Sequence, residues 1–406
     1  MFLVVLLSLL QFTVVLDFVI LSPLGDQLIK ALHITPAQFG WLVSSYAFSA
    51  GISGILTAGF ADRFDRKKLL LFFYGGFIVG TFFCGISPNF IFLLISRTFT
   101  GFFGGVIASI SFTIVTDLFA LDQRGRVMGF MQMGFAVSQI LGIPIGLHLA
   151  NIWGWNSIFL VIVALAVIIF FLILKFVQPI NKHLMHKQVQ NAFGHLKGII
   201  ANKHYRIAFL MTCFIALAGF MLMPFSSVFL VNNVQISHEQ LPMVFMYTGM
   251  ATIFAMPIIG RISDKVSKFK VFTIGSLLAI VMALIYTNLP VIPMGLVILV
   301  NIILFISTSA RMVPSSALLT AVPELKDRGA FMSVNASLQQ VSGGIAAIIA
   351  GLIVVQDSPT APLRHYDTLG YIVAALFAFC IYLLYRIYAF VKSKGDVKGK
   401  VGKETL

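Results

Sequence analysis

Residues Ala58–Lys67 read AGFADRFDRK and return in altered form 202 residues later as GRISDKVSKF at Gly260–Phe269. A second segment repeats in the same way, since RGRVM at Arg124–Met128 is matched by RGAFM at Arg328–Met332, at an offset of 204. Both offsets are about half of the 406-residue chain. Self-similarity at this spacing predicts two homologous halves in tandem.

The composition indicates what surrounds these halves. Hydrophobic residues make up 59% of the chain and charged residues 10%, and phenylalanine alone occurs 40 times. A water-soluble fold could not bury that much apolar surface, so we predict an all-α polytopic membrane protein. The three cysteines (Cys84, Cys213 and Cys380) lie singly in apolar runs, so we expect no disulfide framework, no metal site and no cofactor.

Twelve apolar stretches are long enough to cross about 30 Å of hydrocarbon as helices. They lie near 2–25, 38–60, 69–87, 91–115, 127–149, 157–177, 207–231, 241–260, 271–288, 292–313, 331–355 and 369–391. The predicted organisation is an N-terminal six-helix bundle (1–177), a cytoplasmic linker (178–206), a C-terminal six-helix bundle (207–391) and a basic, unstructured cytoplasmic tail (392–406).

The positions of the charges predict the orientation in the membrane. Of the 28 basic residues, 24 fall on the side that holds both termini, whereas the loops of the other side carry only Lys30 and Arg364. This asymmetry predicts that both termini are cytoplasmic. The net charge of +14 then reflects this topology, and we expect the basic residues to contact the anionic lipid of the bilayer. Nucleic-acid binding is not expected.

The linker contains apolar residues at helical spacing among lysines. These apolar residues are Val189, Ala192, Phe193, Leu196 and Ile200. The spacing predicts a short amphipathic helix on the inner membrane surface, and an unstructured linker is the alternative.

Asp17, Arg97 and Arg311 are the candidate functional charges within predicted spans, where ionisable groups are costly and usually functional. Asp17 and Arg97 fall at similar depth in the first and fourth spans, so they are predicted to form a buried pair or to share a water-filled pocket. Asp17 is the only acid well inside a span, which makes it the candidate proton carrier; a static structural ion pair is the alternative. Arg311, in the tenth span, is nearer the inner end and either contacts substrate, takes part in gating or snorkels to the interface.

The stretch AGFADRFDRK resembles the loop signature of the major facilitator superfamily, with Ala58 and Asp65 where that family usually has glycine. The resemblance covers the whole chain and implies two pseudo-symmetric six-helix bundles. It also implies a conformational gate of inner-side charges. The residues assigned to this gate are Asp62, Arg66, Asp117 and, in the second copy, Asp264. The alternative is that these charges only follow the positive-inside rule.

Further motifs support the same resemblance. Arg97–Gly104 (RTFTGFFG) is similar to a motif that the superfamily links to proton coupling, with Thr100 in place of its usual glutamine. Gly142, Pro144 and Gly146 resemble the fifth-helix antiporter signature, although Ile143 separates glycine from proline; packing alone is the other interpretation.

In the second half, the segments around Arg311 and Asn335–Gln340 resemble the efflux branch that includes arabinose-efflux-like permeases and drug:proton antiporters. Asn335 and Gln339 share one helix face, since they are four residues apart. The residues predicted to line a substrate cavity are Gln11, Tyr46, Asn301, Arg311, Asn335 and Gln339.

These features predict a monomeric secondary transporter of a bacterial inner membrane that exports a small organic solute in exchange for protons. Import by proton symport, and a channel-like or sensor protein on the same fold, are the alternatives. A primary pump or a membrane enzyme is disfavoured, because the sequence has neither a G-x-x-x-x-G-K-[ST] nor an H-E-x-x-H motif.

Overall fold

The computed structural model describes most of the chain. The described residues are 2–58, 64–119, 123, 127–128, 130–131, 133–134, 137–181, 198–324 and 327–404. They are almost entirely helical, with one isolated antiparallel bridge between Val355 and Arg364. The predicted all-α class is confirmed.

The first half comprises residues up to 181. Its helices are α1 (Phe2–Ile20), α2 (Gly25–Leu32), α3 (Pro36–Ala58), α4 (Arg66–Gly85), α5 (Phe90–Leu118), α6 (Ile143–Trp153, preceded by a π-helical turn at Ser138–Gly142) and α7 (Asn156–Phe176).

The second half begins at residue 198. Its helices are α8 (Lys203–Leu222), α9 (Ser226–Asn232, joined to α8 by a 3-10 turn at Met223–Phe225), α10 (Leu241–Lys265), α11 (Lys268–Thr287), α12 (Met294–Ala321), α13 (Arg328–Ile353) and α14 (Tyr366–Glu404).

Eleven helices are long and apolar enough to cross a membrane when the search is restricted to the described residues. The fifth predicted span is interrupted by residues outside this set, and its described part holds α6. Three boundaries differ from prediction. The first span ends at Ile20, where a separate short helix follows, α12 continues to Ala321, and α14 extends through the tail that composition predicts to be unstructured.

Polar caps fix where two spans begin. Asp65 accepts a hydrogen bond from the backbone N–H of Lys68 at 3.0 Å at the start of α4. Asn89 accepts one from the N–H of Phe92 at 3.0 Å at the start of α5. Each cap satisfies a backbone donor that the first helical turn leaves without a partner.

The two halves pack by equivalent pairs of helices. Within the first half α5 packs on α3 and α4, as α12 packs on α10 and α11 in the second. Between the halves α3 lies along α13, and the segment of α6 lies along α10. Helices α3 and α13 are the second and eleventh spans, and α6 and α10 are the fifth and eighth. The contacts between the halves therefore have the pseudo-symmetry that the repeat predicts.

Glycines bring α3 and α13 into close contact. A Cβ on Gly40 would stand 2.6 Å from the carbonyl oxygen of Ala347, and one on Gly351 would stand 2.8 Å from that of Pro36. Small residues permit this backbone approach, which is the usual way for membrane helices to gain packing energy.

The start of the linker is bound to the first half. The N–H of Arg66 donates to the carbonyl of Ile180 at 3.0 Å. Of the residues predicted to form an amphipathic helix, only Ile200 lies within the described residues, where it is exposed.

Candidate functional site

The membrane portion of the first half contains a buried ion pair. Arg97 Nη1 on α5 lies 2.8 Å from Asp17 Oδ2 on α1, and the two side chains are 1% and 0% exposed. The same nitrogen donates to the backbone carbonyl of Asp17 at 3.3 Å. Of the two sequence-based arrangements, a direct pair and a shared wet pocket, the structure therefore has the direct pair.

Neighbouring side chains complete the surroundings of this pair. Thr81 on α4 donates its hydroxyl to Asp17 Oδ1 at 3.3 Å. The ring of Tyr46 on α3 covers Arg97, with Cζ 4.6 Å from the ring centroid. Arg97 Nε has no hydrogen-bond partner among the described residues. A buried charge pair that is incompletely satisfied is costly, which marks this place as one that stability alone does not explain.

The glycines of the RTFTGFFG motif hold α5 against α3. A Cβ on Gly101 would meet the carbonyl oxygen of Tyr46, and one on Gly104 would stand 2.5 Å from Tyr46 Oη. Arg97 and Gly101 are one helical turn apart, so the same face of α5 carries the guanidinium and receives α3. The motif thus positions Arg97 by packing.

Two of the predicted gate residues meet at the end of this half where α4 begins and α5 ends. Arg66 Nε lies 3.1 Å from Asp117 Oδ2, with the side chains 6% and 25% exposed. Asp62, the third member, lies outside the described residues. We call this the Arg66 end of the molecule.

The second-copy gate residue is in a different situation. Asp264 is 80% exposed and pairs with Lys268 of the following helix at 3.6 Å. It is thus not brought into a buried pair like that of Asp117.

The predicted cavity residues lie on four helices from both halves, which are α1, α3, α12 and α13. Gln11 is 8% exposed, and its Oε1 has no partner among the described residues. Asn335 accepts a hydrogen bond from Thr212 Oγ1 at 2.5 Å, which joins α13 to α8. Asn301 is buried and donates to the carbonyl of its own helix at Val297, at 3.4 Å. Gln339 is half-buried on α13.

Arg311 points into the packing of its own half. Its Nε donates to Ser276 on α11 at 3.1 Å, and its Cζ lies 3.7 Å from the ring centroid of Phe377 on α14. The guanidinium is thus held between α11 and α14 by an aromatic face and a hydroxyl, and it does not snorkel.

The fifth-helix motif contacts the first helix. A Cβ on Gly142 would stand 2.7 Å from Leu16, and one on Gly146 would stand 2.9 Å from Ile20. The backbone is π-helical up to Gly142, and Pro144 follows at the start of α6. Single π-helical turns within helices are rare and frequently lie at functional sites.

Sequence reasoning missed a polar cluster between the halves. The carboxylate of Asp26 on α2, 2% exposed, is contacted by Lys30 Nζ at 2.8 Å, Asn232 Nδ2 at 2.7 Å and His238 Nε2 at 3.3 Å. Asn232 and His238 belong to the second half. We call these four residues the Asp26 network and this end the Asp26 end.

More contacts join the halves at the same end. Asn151 Nδ2 on α6 donates to the carbonyl of His238 at 2.8 Å, and Gln27 Nε2 within the first half donates to Asn151 Oδ1 at 2.5 Å. The Ser227 hydroxyl donates to the carbonyl of Ser22 at 2.8 Å. The Asp26–Lys30 spacing on one helix face was the available sequence signal, but no helix was predicted between the first span, which ended at residue 25, and the second.

Within the described ranges, His, Cys, Asp and Glu side chains form no group of three that could hold an ion.

Fold and site together define a two-half, multi-pass membrane transporter with an ion pair buried in one half. The chain belongs to the Major Facilitator Superfamily, whose family model matches residues 7–197 and 208–404. It is therefore a transporter and not an enzyme.

Known proteins resemble it over long stretches. It is 24% identical over 378 residues to "Uncharacterized MFS-type transporter YbcL" of Bacillus subtilis (strain 168). The matched region covers 93% of this chain and 94% of the relative. It is 24% identical over 255 residues to "Probable sugar efflux transporter" of Helicobacter pylori (strain P12), covering 62% and 63%. The crystal structure of a D-xylose-proton symporter shares the fold with a TM-score of 0.74 at 16% identity, covering 92% and 96%.

Proposed function

We propose that this transporter exchanges a small organic solute for protons and exports the solute, with Asp17 as the proton carrier. The observation that carries the proposal is the Asp17–Arg97 pair at 2.8 Å, sealed from solvent inside the membrane portion. Protonation at Asp17 Oδ2 removes the charge that binds Arg97 Nη1. The pair therefore has two states, and coupling requires an element of this kind.

Alternating access would come from the two halves rocking about the α3–α13 and α6–α10 contacts. The Asp26 network holds one end closed through bonds from both halves. At the other end, Arg66 and Asp117, with Asp62, form the proposed gate. Because most basic residues lie at the Arg66 end, this end is the cytoplasmic side in our proposal, with both termini, and the structure then represents the protein closed to the outside.

The solute pathway lies between the halves, with the half-buried amides of α13 among its proposed lining. Gln11, Tyr46, Asn301, Asn335 and Gln339 present amides and a phenol, which suit a neutral polar or amphipathic solute. The placement of Arg311 between α11 and α14 favours a supporting role for this residue. One chain contains both halves of the pathway, so it would act as a monomer.

The test is transport in proteoliposomes, with radiolabelled pentoses and hexoses and the fluorescent cation ethidium as probes. Antiport predicts accumulation of a probe when the lumen is acidic, whereas symport predicts accumulation when the external medium is acidic. The direction of gradient-driven accumulation does not depend on how the protein is oriented in the vesicle. Accumulation with an acidic exterior would overturn the antiport assignment.

Asp17→Asn should abolish gradient-driven accumulation while leaving exchange of labelled for unlabelled solute at equal pH. Asp357→Asn is the matched control, because that carboxylate is 56% exposed in a surface pair with Arg364. Retained exchange shows that the variant is folded. Undiminished proton-driven accumulation in Asp17→Asn would remove Asp17 from the mechanism.

A further inference from the structure

Three aromatic rings connect the buried pair to the other half of the protein. Tyr46 covers the guanidinium of Arg97 at 4.6 Å. Phe18, adjacent to Asp17 in the chain, packs on Tyr46 with ring centroids 5.2 Å apart. Phe18 also packs on Phe220 of α8 in the second half, at 6.0 Å.

Tyr46, on α3, packs closely against α5, the helix that carries Arg97. A Cβ on Gly104 would stand 2.5 Å from Tyr46 Oη, and one on Gly101 would meet the Tyr46 carbonyl oxygen. Arg97, Gly101 and Gly104 are spaced four and three residues apart, so they share one face of α5. The phenol ring therefore keeps its place over the guanidinium as long as α3 and α5 stay packed.

Phe220, by contrast, is fixed to the second half. A Cβ on Gly343 of α13 would stand 3.1 Å from the Phe220 ring. Because α8 packs on α13, any rotation of the second half against the first carries Phe220 with it. The contact between Phe18 and Phe220 is thus the link in this series that a rocking motion breaks.

A proton reaches Asp17 only if water does, and the two charged side chains are almost fully buried. We propose that Tyr46, Phe18 and Phe220 form an aromatic seal over the pair. Tyr46 is a positioning residue that holds Arg97 against Asp17, and the Phe18–Phe220 contact controls when water reaches the pair. The use of this seal in coupling rests on the proposed function, whereas its existence as a barrier does not.

The chain contains its own probe of this barrier. Cys84 is fully buried on α4, one turn from Thr81, and its Sγ lies 3.7 Å from Thr100 Oγ1 on α5. Replacing Cys213 and Cys380 by serine leaves Cys84 as the only thiol. Its rate of reaction with the hydrophilic reagent methanethiosulfonate ethylammonium then measures how often the interior beside the pair is open.

In that background, Phe220→Ala is expected to raise the Cys84 labelling rate at least tenfold, although the two residues belong to different halves. Phe214→Ala is the matched control, because it truncates the same residue type on the same helix, where the ring packs on Phe379 at 4.9 Å. Equal rates in these two variants would overturn the seal. Should Phe220→Ala fail to elute as monodisperse protein, Phe220→Leu takes its place with the same comparison.

Tyr46 is tested by a pair of substitutions. Tyr46→Phe keeps the ring over Arg97. Whatever the loss of the phenol does to the size of the flux, it should leave the Cys84 labelling rate and the midpoint of the pH profile unchanged. Tyr46→Leu removes the aromatic face and should raise labelling and shift the pH profile. A Leu variant that behaves as the Phe variant would contradict the positioning role.

The two proposals fail separately. If proton-driven flux survives Asp17→Asn while Phe220→Ala exposes Cys84, the coupling assignment is wrong and the barrier stands. If Asp17→Asn abolishes coupling while Phe220→Ala labels as the control does, the seal alone is wrong.

Discussion

The Asp26 network allows a quantitative prediction about the equilibrium between the two states. Asp26→Asn preserves the shape of the side chain but removes its charge, so the contact from Asn232 at 2.7 Å becomes a bond between neutral groups. Hydrogen bonds to charged groups contribute about 1.5–3 kcal/mol and neutral ones about 0.5–1.5 kcal/mol. The contact from His238 at 3.3 Å also loses its ionic partner, but this adds little, because 41% of the His238 side chain is exposed to solvent.

These changes weaken the attachment between the halves by about 2 kcal/mol, because an amide partly replaces the carboxylate as acceptor. Since 1.4 kcal/mol corresponds to a factor of ten, the ratio of open to closed protein at this end should rise roughly 30-fold. The contact from Lys30 lies within α2 and adds little to this difference, because 28% of that side chain is exposed to solvent.

The assay uses a cysteine-free background with Ser227→Cys. Ser227 is fully buried beside the network, so its labelling rate by a hydrophilic thiol reagent reports opening of the Asp26 end. Asp26→Asn should increase that rate by roughly 30-fold. The control Asp357→Asn alters an exposed pair in the 354–365 loop, at the same end, and should leave it unchanged. Matching rates for the two variants would refute the reasoning, because the network would then not hold the halves together.

Two further predictions concern helix packing and the Arg66 end. Gly40→Leu should open the Asp26 end and raise labelling of the same probe, because a Cβ there already meets the Ala347 carbonyl oxygen at 2.6 Å; unchanged labelling would show that α3 and α13 can separate locally without opening that end. Asp117→Asn should lower the Tm in detergent by a few degrees, because the Arg66 side chain is 6% exposed and loses its contact with the Asp117 carboxylate. Asp264→Asn should leave the Tm unchanged, because that carboxylate is 80% exposed. Equal melting of the two variants would contradict a structural contribution from the Arg66–Asp117 pair.

The sequence by itself determined the spans, their alternation and the two halves. A span is recognised from the hydropathy of about 20 consecutive residues, and the two halves are recognised from similar residues at a fixed offset. Both can therefore be identified from the sequence without coordinates. Boundaries at turns were less accurate: the first span was predicted to run to residue 25, beyond the end of α1 at Ile20, because Leu21 and Leu24 extend its apolar run, and α2 was not predicted.

The tertiary structure decided which side chains meet. That Asp17 pairs directly with Arg97 depends on how α1 and α5 rotate against each other, and depth along the chain could not distinguish this from a shared pocket. The direction of Arg311, towards Phe377, was decided in the same way by the packing of α12 between two neighbours.

The contacts between the halves were the least predictable. Asp26 and Asn232 are 206 residues apart and belong to no motif, yet Asn232 Nδ2 lies 2.7 Å from Asp26 Oδ1. Hydrophobic patterning fixes which segments enter the membrane because it depends on local composition, whereas partners across the two halves are set by how two rigid bundles dock. The sequence thus determined the architecture of this transporter, and only the packed structure decided which charges hold its ends and its buried pair.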